Sequence, residues 1–298
     1  MRESENLGTR CVLSISAVIL VVMALLPASL QAKQLKPRTV QAFDEYVRTR
    51  EAAMNQELQS GKNFLWIDGL PQPDRDQAYA ALRRGEIIAE HSLRDDAPFP
   101  VSVPGGLIHD WVGIAFIPGV TLPQVVGLLQ DYDHDSLYYS PEIQKSKLLQ
   151  RSGNDFKIYF RLKRVQIITV VMDTEYDVHY TMLDSTHVAS LSHSTRIAEV
   201  ENPGEPQETD KPVGDDHGFL WRLYTYFRFY QADGGVYLQT SAISLTRDIP
   251  TGLGWLIRPF VEDIPVQSVH FTLESTRKAL ESKSAALPDP SLQAQQLK

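Results

Sequence analysis

The densest group of side chains suited to acid–base or metal chemistry is Asp131, Asp133, His134 and Asp135. Carboxylates and an imidazole bind several divalent metals and also serve as general acids and bases. Adjacent residues point in different directions, however, and this spacing matches no standard metal-binding loop. We therefore interpret the group as the end of a helix running into a solvated loop, and we expect no metal site.

Two histidines are better placed to contact a ligand. His193 shares a predicted strand face with Leu191 and Thr195, so an inward imidazole there would hydrogen-bond a ligand or act as a base. His270 lies on an apolar C-terminal helix, at the edge of the same space. For each of them, a hydrogen-bonded position in a filled core is the alternative interpretation.

The residues best suited to line a pocket are aromatic. An apolar cavity with a few polar groups is the usual site for a small hydrophobic ligand. Together with the two histidines, the predicted ligand-binding set contains Tyr176, Tyr180, Trp221, Phe229, Trp255 and Phe260. Ordinary core packing is the alternative for each aromatic residue.

Other catalytic signals are absent from the sequence. It contains no G-x-S-x-G, H-E-x-x-H, P-loop or dinucleotide-binding motif, so we expect no cofactor and name no catalytic residue. Neighbouring His109 and Asp110 are interpreted as a strand pair that faces opposite sides. The single cysteine, Cys11, lies in the N-terminal apolar segment and predicts neither a disulfide nor a thiol nucleophile in the mature chain.

Long strands must position these residues. Residues 219–231 and 236–246 are rich in aromatic and branched side chains, and Asp233-Gly234-Gly235 between them predicts a hairpin turn. Further strands are predicted at 86–93, 107–117, 145–151, 156–163, 167–183 and 187–200, with a helix at 123–131. Each long strand has one apolar face, so we expect a sheet with one solvent-exposed side.

Alternation assigns residues to the apolar faces, because residues two apart share one side of a strand. The sets predicted to face the C-terminal helix are Phe156, Ile158, Phe160 and Leu162; Ile168, Val170, Met172, Tyr176, Val178 and Tyr180; Ala189, Leu191, His193, Thr195 and Ile197; and Phe219, Trp221, Leu223, Phe227 and Phe229. Arg196 and Arg222 are predicted to point away and to form surface pairs.

The C-terminal part combines a loop with a long helix. Pro250, Gly252 and Gly254 predict a loop at 251–260, and a helix is predicted to start near Asp263. Its apolar stripe is Val266, Val269, Leu273, Thr276 and Leu280, spaced to lie on an apolar surface. The acidic, Pro- and Gly-rich segment 199–216 predicts a mobile surface loop.

This order of hairpin, Gly/Pro/Trp loop (AISLTRDIPTGLGWLIRPFVEDIP) and closing helix resembles the START-like helix-grip superfamily, SRPBCC, which includes polyketide cyclases and lipid-transport proteins. The resemblance covers roughly residues 85–280. It implies an α+β fold in which a curved antiparallel sheet wraps around the C-terminal helix and holds a hydrophobic ligand between them. It brings no invariant catalytic residue to this chain.

The remaining segments complete the predicted organisation. Arg2 and Arg10 precede an apolar run at 11–26 and a small-residue exit ending at Ala32, the layout of a signal peptide, with a retained membrane anchor as the alternative. Residues 33–84 form a helical extension, 85–282 the START-like domain and 283–298 a disordered tail. The extension is predicted to contain helices at 39–59 and from Asp74 to about residue 84.

Net charge limits the partners. The 298-residue chain carries a formal charge of −8, which argues against nucleic acid and against attraction to anionic lipid surfaces. We expect an exported, periplasmic or secreted carrier of a lipid or other hydrophobic small molecule, with 251–260 as a gate. The alternatives are a cyclase- or hydrolase-type enzyme using His193 or His270, and a partner-binding protein with a filled core. Transient membrane contact and oligomeric state stay open.

Overall fold

The computed structural model describes residues 33–93, 100–165, 169–248 and 254–286, and within the last range the side chains of 264–283. The described helices are α1 (Pro37–Ser60), α2 (Gln72–Arg83), α3 (Leu122–Leu129), the single turn α4 (Asp135–Tyr138) and α5 (Gly254–Ala286). Among the described residues, no helix is long and apolar enough to cross a membrane.

One large antiparallel sheet dominates the structure. Its strands are β2 (Ile88–His91), β3 (Val101–Val103), β4 (Gly106–Pro118), β5 (Ile143–Ser152), β6 (Asp155–Val165), β7 (Thr169–Met182), β8 (His187–Glu201), β11 (Arg222–Ala232) and β12 (Gly235–Arg247). Their order across the sheet is β2-β4-β12-β11-β8-β7-β6-β5, with β3 also paired to β4. The long strands lie within a few residues of their predicted positions.

Two short strands in the segment between β8 and β11 pair with other parts of the chain. β9 (Thr209–Asp210) pairs with β8, and β10 (Asp215–Asp216) pairs with β1 (Lys33–Gln34). Asp216 is buried and accepts hydrogen bonds from Gly218 N and from the indole Nε1 of Trp221. The predicted irregular loop is therefore wrong in part, because a buried carboxylate and two strand pairings hold its C-terminal end.

Local chemistry explains where the elements begin and end. Pro37 occupies the first turn of α1, where its missing N–H is not needed, and Gly61 ends the helix with φ of +61°. Thr121 begins α3 with a capping box, in which the Gln124 side chain accepts from the Thr121 backbone N–H at 2.8 Å. The β11–β12 turn places Asp233 and Gly234 at positive φ, as a tight hairpin requires.

The predicted α+β helix-grip architecture is confirmed. Helix α5 lies on one face of the sheet, which we call the inner face, and buries Val269, Leu273 and Leu280 against it. A Cβ on Gly113 of β4 would collide with the side chains of Val269 and Leu273, so the helix approaches the sheet closely at this point.

The start of α5 differs from the prediction. The helix begins at Gly254 and not near Asp263, so Pro265 lies inside it and not in its first turn. Most of the predicted gate at 251–260 is therefore helical backbone, while residues 251–253 lie outside the described residues. The helix also continues to Ala286, past the predicted end at 282. Residues 287–298 of the predicted tail lie outside the described residues.

The opposite, outer face of the sheet is not solvent-exposed along β4, β11 and β12. The N-terminal extension covers it and forms two further apolar clusters. One contains Phe64, Leu65, Ile67, Leu82, Val112, Ile114, Phe116 and Tyr237, and the other contains Phe43, Val47, Ile108, Trp221, Tyr226, Ile243 and Leu245. The prediction that one side of the sheet is solvent-exposed is wrong for these strands, because they carry apolar residues on both faces.

Candidate functional site

The inner face is tightly filled at one end. Residues of six strands meet helices α3 and α5 there, and their side chains are almost fully buried. They are Ile117, Phe156, Tyr180, Val188, Phe229, Val236 and Leu238. This end lies beside the β11–β12 turn and the C-terminal half of α5. Because its side chains are almost fully buried, we interpret it as ordinary hydrophobic core.

Three tyrosine hydroxyls form hydrogen bonds within this closed end. The hydroxyl oxygens of Tyr132 and Tyr180 lie 3.1 Å apart, and the Tyr180 hydroxyl donates to the Leu129 carbonyl at 3.2 Å. Tyr139 lies 2.9 Å from the Thr276 hydroxyl on α5. Burial raises the pKa of each of these tyrosines, so all three are neutral donors at ordinary pH.

Asp135 lies beside these tyrosines and is the exceptional group of the closed end. It is 4% exposed, and its Oδ1 has no hydrogen-bond partner in the described part of the chain. Burial, and secondarily the nearby Asp131 carboxylate, raises the pKa of Asp135 to about 8. The buried carboxyl is therefore mostly protonated at neutral pH.

The remainder of the acidic cluster diverges, as the sequence interpretation predicts. His134 and Tyr138 contact the two oxygens of Asp131 at 2.6 Å, and Asp133 accepts from the Leu148 backbone N–H at 2.9 Å. These groups lie on the surface side of the turn, while Asp135 points inwards. The burial of Asp135 was missed, because a contiguous acidic run carries no signal of which member is buried.

The other end of the inner face is only partly closed. The sheet contributes Phe160, Leu223, Phe227 and Ala242, and α5 contributes Val266, and all five are half-buried apolar residues. This end adjoins the C-terminus of β12 and the first half of α5. Exposure thus increases along β11, from the fully buried Phe229 to the half-buried Phe227 and Leu223.

A polar group lies on the same side at this partly closed end. His109 follows the inner-facing register of β4, and its Nε2 lies 3.1 Å from the Thr246 hydroxyl on β12. Burial lowers the pKa of His109 to about 4, so its imidazole is neutral at ordinary pH. Asp110 faces the outer side, as the predicted alternation requires, where it contacts Tyr46 and Arg50.

Three of the predicted ligand-binding residues lie on the inner face. Tyr176, Tyr180 and Phe229 all belong to the cluster beneath α5. Tyr180 and Phe229 are at the closed end, whereas the ring of Tyr176 lies 5.9 Å from that of the half-buried Phe160. Trp255 and Phe260 are in the first turns of α5, and their side chains lie outside the described residues.

The other three predicted residues lie elsewhere. His193 faces the outer side, where its Nε2 lies 2.7 Å from Glu51 of α1 and its ring stacks on Tyr224 at 4.1 Å. Trp221 is in an outer-face cluster. His270 is half exposed on α5 and lies 3.7 Å from Glu274. The placements of His193 and Trp221 contradict their predicted position on the inner face, whereas the edge position predicted for His270 stays a prediction.

The errors have physical causes. On β8 the inner positions are the small polar residues Ser190, Ser192 and Ser194, which pair with inner-facing residues of β7 and β11, so apolar alternation selected the outer face. A register shift opposite Tyr176 then returns Ile197 to the inner side. Trp221 precedes β11, so strand alternation does not apply to it.

The two arginines predicted to face away do so. Arg196 forms an ion pair with Asp210 of β9. Arg222 donates from Nη1 to the Trp221 carbonyl at 2.8 Å, which is a backbone contact in place of the predicted surface pair.

Comparisons with known proteins give structural similarity only. No family model matches the sequence, and no curated protein matches it. A STAR-related lipid transfer protein from Xanthomonas axonopodis is similar at 16% identity over 61% of this chain and 96% of that chain, with a TM-score of 0.41. A START superfamily protein from Mycobacterium smegmatis is 9% identical over 60% and 99% of the two chains, with a TM-score of 0.38.

An aromatase/cyclase from a Streptomyces species is similar at 11% identity over 60% of this chain and 97% of that chain, with a TM-score of 0.40. At these identities and TM-scores, the similarity concerns the fold alone.

Proposed function

We propose that this protein binds a hydrophobic small molecule between the inner face of its sheet and the first half of α5, as a carrier or binding protein. The observation that carries the proposal is the gradient of burial along the inner face. The closed end has fully buried side chains such as Phe229, while Phe227 and Leu223 of the sheet and Val266 of α5 remain partly accessible although they belong to the same apolar cluster. Covering such apolar surface with a ligand contributes about 25 cal/mol per Å².

A binding role fits these residues better than the enzymatic alternative. That alternative assigned acid–base chemistry to His193 or His270, and neither lies on the inner face. His109, which does, is neutral and in contact with Thr246, and is suited to hydrogen-bonding a polar end of the ligand. We further propose export, which rests on the signal-like sequence of residues 1–32.

A fluorescent apolar probe tests the site. We expect the purified protein to bind N-phenylnaphthylamine saturably, and Leu223→Gln to raise the Kd about tenfold, since a buried leucine is worth about 1.5–3 kcal/mol. Leu191→Gln is the matched control, because Leu191 is exposed on the outer face of the same sheet. Thermal unfolding of both variants checks that they are folded.

Equal probe affinity in the two leucine variants, or no saturable binding at all, would contradict the proposed site. Organic extraction of protein purified from its own host, followed by mass spectrometry, would identify the ligand class. Release of a stoichiometric hydrophobic compound is the expected result.

A further inference from the structure

A pocket lies on the outer face, on the far side of the sheet from α5. Its volume is about 320 Å³, which is enough for a small organic molecule. It is a partly open pocket, bordered by residues of α1, the connection from α1 to α2, the residues that follow β2, and strands β11 and β12. Its lining residues include Arg50, Met54, Trp66, Ser92, Gln239 and Ser241.

One wall of the pocket presents an oriented guanidinium group. The Nε of Arg50 donates to Asp110 Oδ2 at 2.7 Å, and the Tyr46 hydroxyl donates to the same oxygen at 2.9 Å. These contacts fix the guanidinium plane, while within the described part of the chain its Nη1 and Nη2 have no hydrogen-bond partner. A guanidinium group offers parallel N–H donors in a geometry that matches a carboxylate.

A buried hydroxyl on another wall also lacks a partner. Ser92 is 7% exposed, and its Oγ has no hydrogen-bond partner among the described residues. The backbone around it is fixed, since Ser92 N donates to the Asp110 carbonyl at 3.0 Å and the Trp66 indole donates to the Ser92 carbonyl at 3.1 Å. An unpaired buried hydroxyl costs free energy, which a ligand would recover by bonding to it.

The floor of the pocket supplies further donors. Gln239 is buried and its Oε1 accepts from the Trp66 backbone N–H at 2.6 Å, so its amide nitrogen is the atom of this side chain that can donate to a ligand. Ser241 lies two residues along β12 on the same outer face. The other cation, Arg228, is already satisfied by the Phe64 carbonyl and by Glu57.

We propose that this outer pocket binds a small organic carboxylate. The available polar groups are mainly donors: the Nη groups of Arg50, the amide nitrogen of Gln239 and the hydroxyl of Ser92. Apolar walls, including Met54 and Trp66, would cover the remainder of the molecule. The site is separate from the hydrophobic site on the inner face, because the sheet lies between the two.

Isothermal titration calorimetry with phenylacetate tests the proposal, with phenylacetamide as the uncharged control. We expect phenylacetate to bind saturably and phenylacetamide to bind at least about tenfold more weakly, since a charge-assisted hydrogen bond is worth more than a neutral one. Arg50→Gln should weaken phenylacetate binding at least about tenfold. Arg48→Gln, an exposed arginine on the same helix, should leave it unchanged.

Ser92→Ala separates binding from folding. It removes a hydroxyl that has no partner among the residues that the structure describes, so the thermal midpoint should not fall, whereas phenylacetate affinity should drop several-fold. Unchanged affinity in Ser92→Ala, equal binding of phenylacetate and phenylacetamide, or absence of saturable heat with phenylacetate would each overturn the proposal. Binding of N-phenylnaphthylamine in the same variants reports on the inner site and should not change.

Discussion

The two faces of one sheet are stabilised in different ways. On the inner face, α5 contributes an apolar stripe of Val269, Leu273 and Leu280, and aromatic and branched residues of the sheet pack against this stripe. On the outer face, α1 buries Phe43 and Val47 but is otherwise attached by directional polar contacts. The two helices are therefore attached differently, α5 mainly by apolar packing and α1 mainly by hydrogen bonds and ion pairs.

The polar attachment of α1 includes two neighbouring groups. Arg50 and Tyr46 share one oxygen of Asp110, while His193 and the Tyr226 hydroxyl both contact Glu51 Oε1, at 2.7 and 2.8 Å. Beneath α5, Arg164 of β6 forms an ion pair with Glu142 and donates to the Ser268 hydroxyl of the helix at 2.6 Å, while the buried acid Asp135 is protonated. Alternating residues of the same strands thus pack against two different layers, α5 on the inner face and the N-terminal extension on the outer face.

The largest effect is expected from a cavity in the inner core. Phe229→Ala should lower the free energy of unfolding by about 3–5 kcal/mol, because the ring is fully buried among packed neighbours. Phe219→Ala, at a ring that is 36% exposed, should change it by no more than about 0.5 kcal/mol. Denaturant unfolding measures both. Equal costs would mean that the inner face is not the main apolar core.

Asp135 should make the inner face sensitive to high pH. Below about pH 4 the carboxyl is protonated in both states, and its contribution to stability is fully present. As pH rises towards about 8, the unfolded chain releases the proton while the folded protein retains it, so unfolding becomes more favourable. We expect a loss of about 2–4 kcal/mol across this range, since one pKa unit corresponds to about 1.4 kcal/mol.

Asp135→Asn should flatten this dependence, because the amide cannot ionise. Asp177→Asn is the matched control, since Asp177 is exposed on the outer side of β7 and pairs with Lys157. Denaturant unfolding of the three proteins at several pH values measures the slopes. A slope that persists in Asp135→Asn would show that another group is responsible.

The smallest effect, of opposite sign, is expected on the outer face. There, the hydrogen bond between Glu51 and His193 holds the pKa of the Glu51 carboxyl below its usual value. The stability that this carboxylate contributes is present above its unfolded pKa, and it is lost as pH falls through the lower folded pKa. We expect a change below about 1 kcal/mol, because the pair is partly exposed.

Glu51→Gln should remove this acid sensitivity, with Glu45→Gln, an exposed residue of α1, as the control. Amide hydrogen exchange of α1 and α5 at acid pH measures where the loosening occurs. Faster exchange in α5 than in α1 at acid pH would reverse the proposed contrast between the faces.

Much of the inner face could be predicted from the sequence. On β6 and β7 the apolar residues alternate without interruption, and Phe156, Tyr176 and Tyr180 lie on the predicted side. The prediction failed on β8, where serines occupy the inner positions and a register shift changes the phase. Alternation reports the polarity of a side chain and not the layer that covers it, so it could not identify the outer site.

The sequence by itself determined the strands, their turns and the long helix after β12, because these depend on local alternation, helical spacing and residues such as Gly234 that adopt positive φ. Only the tertiary structure decided what covers each face. His193 and Glu51 are 142 positions apart, and Trp66 and Gln239 are 173 apart. Contacts over such distances arise from packing of whole elements, and no local pattern in the chain specifies them.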